Sequence, residues 1–469
     1  MRPRLLPLIA VLLAFPAAAD AAPLKVEGGR LVDGRGRTVV LHGVNVAYKV
    51  APYHPNGSAE QTSFDRQDVA RLRSWGMNSV RLGVTWKALE PAPGRIDEAY
   101  LAEIVRLTRL TARRGLFVLV DMHQDEWSER YRGNGAPEWA TIDDGLLFPP
   151  VTPGHPYDYL EPAVGRAFTS FWENRDGIRS RFVAAFARLA RALRREDGVL
   201  GYDAFNEPSC EIQRAPCGLP PDPAAGARWL KPFYDELVPA MRAADPRHPV
   251  LHEDYLTTAF GYPYTLGAAL RRGQGLSYHV YCPHPLRSER SCEDLEREAV
   301  DRSIAYARSR AAAPLLTEFG ATDDLAVVGR IAALADAKGQ SWHYWQYKTY
   351  FDPTTSARTT PGASADAESI VDEAGAVKAD KLKVLARAFP ERVAGRGARW
   401  SFDPASGAFD LRYRARRGGR TAISLPVAVH YARGYRVKAR GARVISRRNA
   451  KRLVVRATTS RVRVRVTAR

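Results

Sequence analysis

Between residues 39 and 347 short apolar runs alternate with segments of helical spacing, and that alternation leaves few folds open. The runs cover 39–46, 79–84, 117–121, 201–206, 249–252, 276–281, 314–319 and 341–347. Seven helical patterns separate them. One over 65–75 ends at Gly76, one over 97–114 ends at Gly115, and one over 178–195 carries apolar side chains three and four residues apart. Strand and helix alternating eight times is the pattern of a (β/α)8 TIM barrel, with residues 380–389 as its last helix. The chain, at 469 residues, is long enough for that barrel and a small second domain.

In such a barrel the groups that do chemistry sit at the C-terminal ends of the strands. Glu207 closes the fourth run, in Phe205-Asn206-Glu207-Pro208, and Glu318 closes the seventh, in Leu316-Thr317-Glu318-Phe319. Carboxylic acids are seldom buried at apolar strand ends without a reason. Two of them on one face are the equipment for breaking a glycosidic bond with retention, one holding a proton and the other ionised, about 5–5.5 Å apart. Glu207 is assigned as acid/base and Glu318 as nucleophile. Arg81, on the second strand, would keep Glu318 ionised. His123 and Asp125 after the third strand, and His279 and Tyr281 at the end of the sixth, fall on the same face and are expected to contact a sugar. Trp345 is placed to stack on a pyranose, whereas Trp342 suits barrel packing.

Composition breaks near Phe389-Pro390. Residues 391–469 hold 22 Lys plus Arg against 3 Asp plus Glu, a surplus equal to the whole chain's net charge of +19. Trp400-Ser401-Phe402, Phe409–Tyr413, Val427–Tyr431 and Arg461–Val466 alternate apolar with polar residues, which reads as a small antiparallel β-sandwich over 390–469 with an arginine-rich outer face. That face, with Arg461, Arg463 and Arg465 on one side of a strand, is expected to attract an anionic membrane surface. No recognised nucleic-acid motif accompanies the charge, and a monomer is expected.

Arg2 and Arg4 precede the apolar stretch Leu5–Phe15 and the small residues Ala17–Ala22. This is the form of a signal peptide over 1–22, too short to span a bilayer, so the barrel would occupy 23–389 of a secreted protein. The four cysteines fall into local pairs, Cys210 with Cys217 and Cys282 with Cys292, suited to small disulfide loops in an oxidising compartment. With His279 and His284 they match no zinc spacing.

Asn-Glu-Pro after the fourth strand, Glu after the seventh, Arg after the second and Trp at the eighth resemble glycoside hydrolase family 5. Within it, Leu41–Lys49 followed by Pro52-Tyr53, Asp121–Asp125, Phe205–Pro208, Trp345–Lys348 and Pro390–Gly395 are similar to the endoglycoceramidase group. The resemblance implies cleavage of the oligosaccharide–ceramide bond of glycosphingolipids, as an endoglycoceramidase acting at a glucosyl–ceramide linkage or an endogalactosylceramidase acting at a galactosyl–ceramide linkage, with neither metal nor organic cofactor. It also implies that Lys49, His123, Asp125, Asn206 and Tyr281 line the pocket for the sugar next to the scissile bond. Asn206 would hold the 2-hydroxyl, and Trp345 would form the floor. Glu126 and Trp127 depart from that pattern, and residues 128–170 show no matching motif. The alternatives are another family 5 enzyme, such as a β-glucosidase or endoglucanase, and a barrel that only binds glycan or lipid. An apolar aglycone side would favour ceramide, and stacked aromatics with polar groups a glucan.

Overall fold

The computed structural model describes residues 23–469 except 56, 58, 59, 283–289, 351 and 355–364. The expected signal peptide and His284 therefore lie outside the described residues. Strands His42–Val46, Ser79–Val84, Phe117–Met122, Val199–Asp203, Val250–His252, Gly275–Val280, Ala313–Phe319 and Ser341–Tyr344 close in chain order into a barrel, each parallel to its neighbours. All eight expected runs are strands of this barrel.

Helices Arg66–Ser74, Glu98–Ala112, Ile178–Leu193, Lys231–Ala244, Cys292–Ser309, Leu325–Lys338 and Ala379–Leu385 surround it. Local signals set their ends. Asp65 accepts from the backbone N–H groups of Gln67 and Asp68, and Asp97 from those of Ala99 and Tyr100, satisfying donors that a first helical turn leaves open. One expected crossover helix is missing. Between the fifth and sixth strands the chain makes only the short turns Leu256–Phe260 and Gly267–Ala269. Gly261, Pro263, Gly267 and Gly273 punctuate that segment too often for a longer helix to propagate.

The barrel interior changes character along its axis. At the N-terminal end Phe117, Leu119, Leu251 and Leu315 pack with Leu24 and Leu31 of the hairpin formed by Lys25–Glu27 and Arg30–Val32, which plugs that end. At the other end the interior turns polar, with Asn45, Arg81, Asp121, Asp203, Ser277 and Thr317 all buried.

The tail forms two antiparallel sheets. Gly395–Asp403, Ala408–Ala415, Arg461–Ala468 and Tyr435–Arg440 make one, and Phe389–Val393, Arg420–Ser424, Arg452–Ala457 and Ala442–Val444 make most of the other. Trp400, Phe402, Phe409, Leu411, Val462, Val464 and Val466 are buried between them, as period-two alternation requires. The second sheet also takes in the hairpin, which joins it through Thr38–Val39, the strand that pairs directly with the tail's Phe389–Val393. Val427–Tyr431, expected as a strand, is instead a helical turn over Val427–His430 that starts after Pro426. Proline has no N–H for a ladder, and buried Tyr431 anchors the turn by donating to the Gly407 carbonyl. Among the described residues no helix is long and apolar enough to cross a membrane.

Candidate active site

The polar end of the barrel is organised by one guanidinium. Arg81, fully buried, pairs through Nε with Asp203 at 2.9 Å, through Nη2 with Asp121 at 2.9 Å, and through Nη1 with Glu318 at 3.1 Å. It also donates to the side-chain oxygens of Asn45 at 3.1 Å and Asn206 at 2.8 Å. A planar fork of donors can serve this many acceptors at fixed angles, which a lysine could not. Burial opposes the charge, but the surrounding carboxylates hold the guanidinium above its usual range.

Glu318 reaches this network through an irregularity. The register of its strand shifts between Leu316 and Glu318, so Thr317 and Glu318 both engage the barrel end. Such a bulge re-aims a side chain. Its Oε2 takes Arg81, and its Oε1 accepts a 2.7 Å hydrogen bond from Tyr281. Burial and then the Glu318 charge keep the Tyr281 phenol protonated well beyond the ordinary range, so toward the Glu318 carboxylate it acts as the donor.

Glu207 has a backbone φ of 46°, the left-handed region that a non-glycine residue occupies at a cost of about 1–3 kcal/mol. Gln124 holds the turn by donating to the carbonyls of Asn206 and Glu207 at 2.7 and 3.0 Å. The Glu207 carboxyl lies 2.8 Å from His279 Nδ1. Burial, reinforced by the charge of Asp125, lifts its pKa to about 7, against the pull of His155, His123 and Lys49. Burial also lowers His279 to about 4 despite Glu318, so the contact joins a neutral imidazole to a carboxyl group and is not an ion pair.

Carboxyl oxygens of Glu207 and Glu318 lie within 4.8 Å of one another. That is the short spacing of direct nucleophilic attack, whereas an intervening water needs about 6.5–9.5 Å. Together with His279 the two carboxyls could enclose a cation. Arg81 already supplies the positive charge at Glu318 and would repel a second one.

A second cluster adjoins the first. Lys49 Nζ pairs with Asp125 at 2.8 Å and Asp352 at 2.9 Å, and donates to Thr354 at 2.8 Å. It lies 4.3 Å from the centre of the Trp345 ring, which also stacks on His123 at 5.2 Å. His123 bridges Asp121 at 2.8 Å and Asp125 at 3.3 Å, and these two carboxylates, overcoming burial, raise it to about 9. Asn206 donates to the Gln124 carbonyl at 2.9 Å. Thus Lys49, Arg81, His123, Asp125, Asn206, His279, Tyr281 and Trp345 converge on the two glutamates. Both cysteine pairs are disulfide-bonded, and Cys282 is therefore no metal ligand.

Sequence reasoning missed Asp352, Thr354 and Glu368, the last accepting from Trp345 Nε1 at 2.9 Å. They sit on the segment after the eighth strand, which reads as a plain loop. It missed Glu253 too, at the end of the fifth strand, where burial and the nearby Asp203 hold a carboxyl protonated well above the usual range.

A family model for cellulases of glycosyl hydrolase family 5 matches residues 32–350, and the family 5 C-terminal domain matches 387–467. The chain belongs to glycoside hydrolase family 5. This family 5 chain is a glycoside hydrolase, with the two-carboxylate equipment for retention. It is 32% identical to endoglycoceramidase I of Rhodococcus hoagii strain 103S over 92% of this chain and 85% of that one. Endoglycoceramidase of Cyanea nozakii is 30% identical over 92% and 90% of the two chains. The structure of endo-glycoceramidase II from Rhodococcus sp. superposes with a TM-score of 0.75 at 28% identity, covering 94% of this chain and 99% of that one.

Proposed function

We propose that this enzyme cleaves the bond between the oligosaccharide and ceramide of glycosphingolipids, with Glu318 as nucleophile and Glu207 as acid/base. Arg81 and Tyr281 both donate to Glu318, which supports its acting as a carboxylate. Glu207, with its pKa lifted to about 7, keeps the proton that the departing oxygen needs. Glu318 attacks the anomeric carbon while the glycosidic bond breaks and Glu207 protonates its oxygen, which leaves as the ceramide hydroxyl. Glu207 then takes a proton from the water that releases the sugar.

The observation that carries the substrate reading is the surface beside Glu207. A general acid stands next to the leaving group, so the aglycone lies on the Glu207 side. There a shallow groove of about 50 Å3 is walled by Pro208, Ile212, Leu219, Tyr255, Leu256 and Phe260, room for the first part of an apolar aglycone and not for a whole lipid chain. That wall suits a lipid and offers few groups to a second sugar. Leu147 and Val151, 90% and 85% exposed on the loop after the third strand, add apolar surface at the catalytic end, as a bilayer-resident substrate would favour. A cleft of about 630 Å3, mostly apolar in its exposed lining, also presents Lys49, Glu126, Arg132, His155 and Asp158 as hydrogen-bonding partners for a glycan. Among similar proteins, endo-glycoceramidase II from Rhodococcus sp. has been obtained as a ganglioside GM3 complex and as a lactosyl-enzyme intermediate. The two disulfides and the residue pattern of 1–22 support export to an oxidising compartment.

Digestion of a panel of glycosphingolipids and soluble β-glucans, with products identified by mass, tests this reading. Intact oligosaccharide plus ceramide is the expected outcome. Faster cleavage of the glucans would contradict it.

A further inference from the structure

At the plugged end of the barrel, a cleft of about 610 Å3 lies between the N-terminal segment and the four-stranded sheet. Its walls are Arg30, Arg396, Arg414, Arg416 and Arg461, completed by glycine, alanine and serine, with no carboxylate and no large apolar side chain. Strand register concentrates the charge. Arg396 stands opposite Arg414, and Arg414 opposite Arg461, on three adjacent strands. Neighbouring strands are about 4.8 Å apart, and like charges directly opposite one another destabilise a sheet.

The same sheet shows how such charge is otherwise neutralised. Arg412, Arg463 and Arg465 converge on Asp410 at 3.3, 3.0 and 2.7 Å, holding its carboxyl down at about 2 against burial. Of the three arginines expected to face a membrane, Arg463 and Arg465 share Asp410, and among the described residues Arg461 has no carboxylate. Among the described residues no carboxylate pairs with the side chains of Arg396, Arg414, Arg416 or Arg461.

The geometry points to a binding site for a linear polyanion carrying phosphate or sulfate groups, separate from the catalytic end. Guanidinium groups match such oxyanions with paired hydrogen bonds, and a row in register can follow successive groups along a chain. The hairpin that borders this region packs on the first residues of the barrel strands, whereas Glu207 and Glu318 sit at the opposite strand ends. Resting on the reading proposed above, the bilayer that carries substrate meets the catalytic end, so a cleft at the other pole does not share it. The concave wall and the absence of an apolar side chain to insert also favour a polymer over a bilayer surface.

The test compares the full-length protein with the triple variant Arg396→Gln, Arg414→Gln, Arg461→Gln and with a charge-matched control, Arg443→Gln, Arg447→Gln, Arg448→Gln. The probes are long-chain inorganic polyphosphate, dextran sulfate, and vesicles of phosphatidylcholine with phosphatidylglycerol. Wild type should bind both polymers with an affinity that falls as salt rises. The cleft variant should lose about tenfold or more in affinity and flatten the salt dependence by about two in log–log slope. The control should stay near wild type. All three should hydrolyse a soluble aryl glycoside equally, with or without polyphosphate, which reports folding and an open catalytic end. Equal losses in the two variants, binding to vesicles but not to polymers, or competition between polyphosphate and the aryl glycoside would each overturn the proposal. Because binding is read without a glycolipid, its failure is distinct from failure of the substrate assignment.

Discussion

The imidazole of His279 bridges the two carboxyl groups, with Nδ1 lying 2.8 Å from Glu207 and 3.8 Å from Glu318. A neutral ring there touches a carboxyl that holds its proton and one that takes donors from Arg81 and Tyr281. Two chemically identical side chains are thereby given different tasks by their surroundings.

The raised pKa of Glu207 sets a pH limit with a definite sign. Its acidic form is the proton donor, and burial lifts it from 4.5 to about 7, so kcat/KM should fall as pH rises through about 7. The limb should be clearest with a poor leaving group, which needs the proton, and weaker with an activated aryl glycoside. A pH profile flat to pH 9 on the glycolipid would contradict the assignment.

Truncating the glutamates should have different consequences. Glu207→Ala should still form the glycosyl-enzyme from a substrate with a good leaving group, and azide should restore turnover as a β-glycosyl azide. Glu318→Ala should give no covalent intermediate. A β-linked azide adduct from Glu318→Ala would exchange the two roles.

Arg81→Met would strand three buried carboxylates, Asp121, Asp203 and Glu318, without their shared cation. Breaking a buried pair in this way costs about 3–5 kcal/mol, which should appear as a lower denaturant midpoint of the barrel. Arg81→Lys keeps the charge but not the fork, and should lose less stability while still depressing kcat. Full stability in Arg81→Met would contradict the central place given to this residue.

Cys210 and Cys217 both line the apolar groove beside Glu207, so their disulfide shapes the proposed lipid side. Cys210→Ser with Cys217→Ser should raise KM for a glycosphingolipid while sparing a soluble aryl glycoside. Equal effects on both substrates would assign the bond to general stability.

Much of this site was legible in the sequence because a barrel converts strand order into position. Glu207 and Glu318 end apolar runs, and the parallel closed sheet brings those ends together. What escaped lay where periodicity carries no information. Asp352, Thr354 and Glu368 hold Lys49 and Trp345 from a segment without apolar spacing, and Glu253 is perturbed by burial and then by Asp203 on a neighbouring strand. The turn at Val427–His430 misled for the opposite reason. Its alternation mimics a strand, and Pro426 together with the anchoring of Tyr431 overrides it. The pairing of Thr38–Val39 with Arg392–Val393 spans more than 350 positions, a distance at which local pattern is silent.

Proton NMR of the first sugar released from lactosylceramide tests the account most directly, because one spectrum reports both the bond cut and the stereochemistry. The account expects intact lactose appearing first as the β-anomer, relaxing later toward the equilibrium mixture. The α-anomer appearing first, or free galactose in place of lactose, would contradict it.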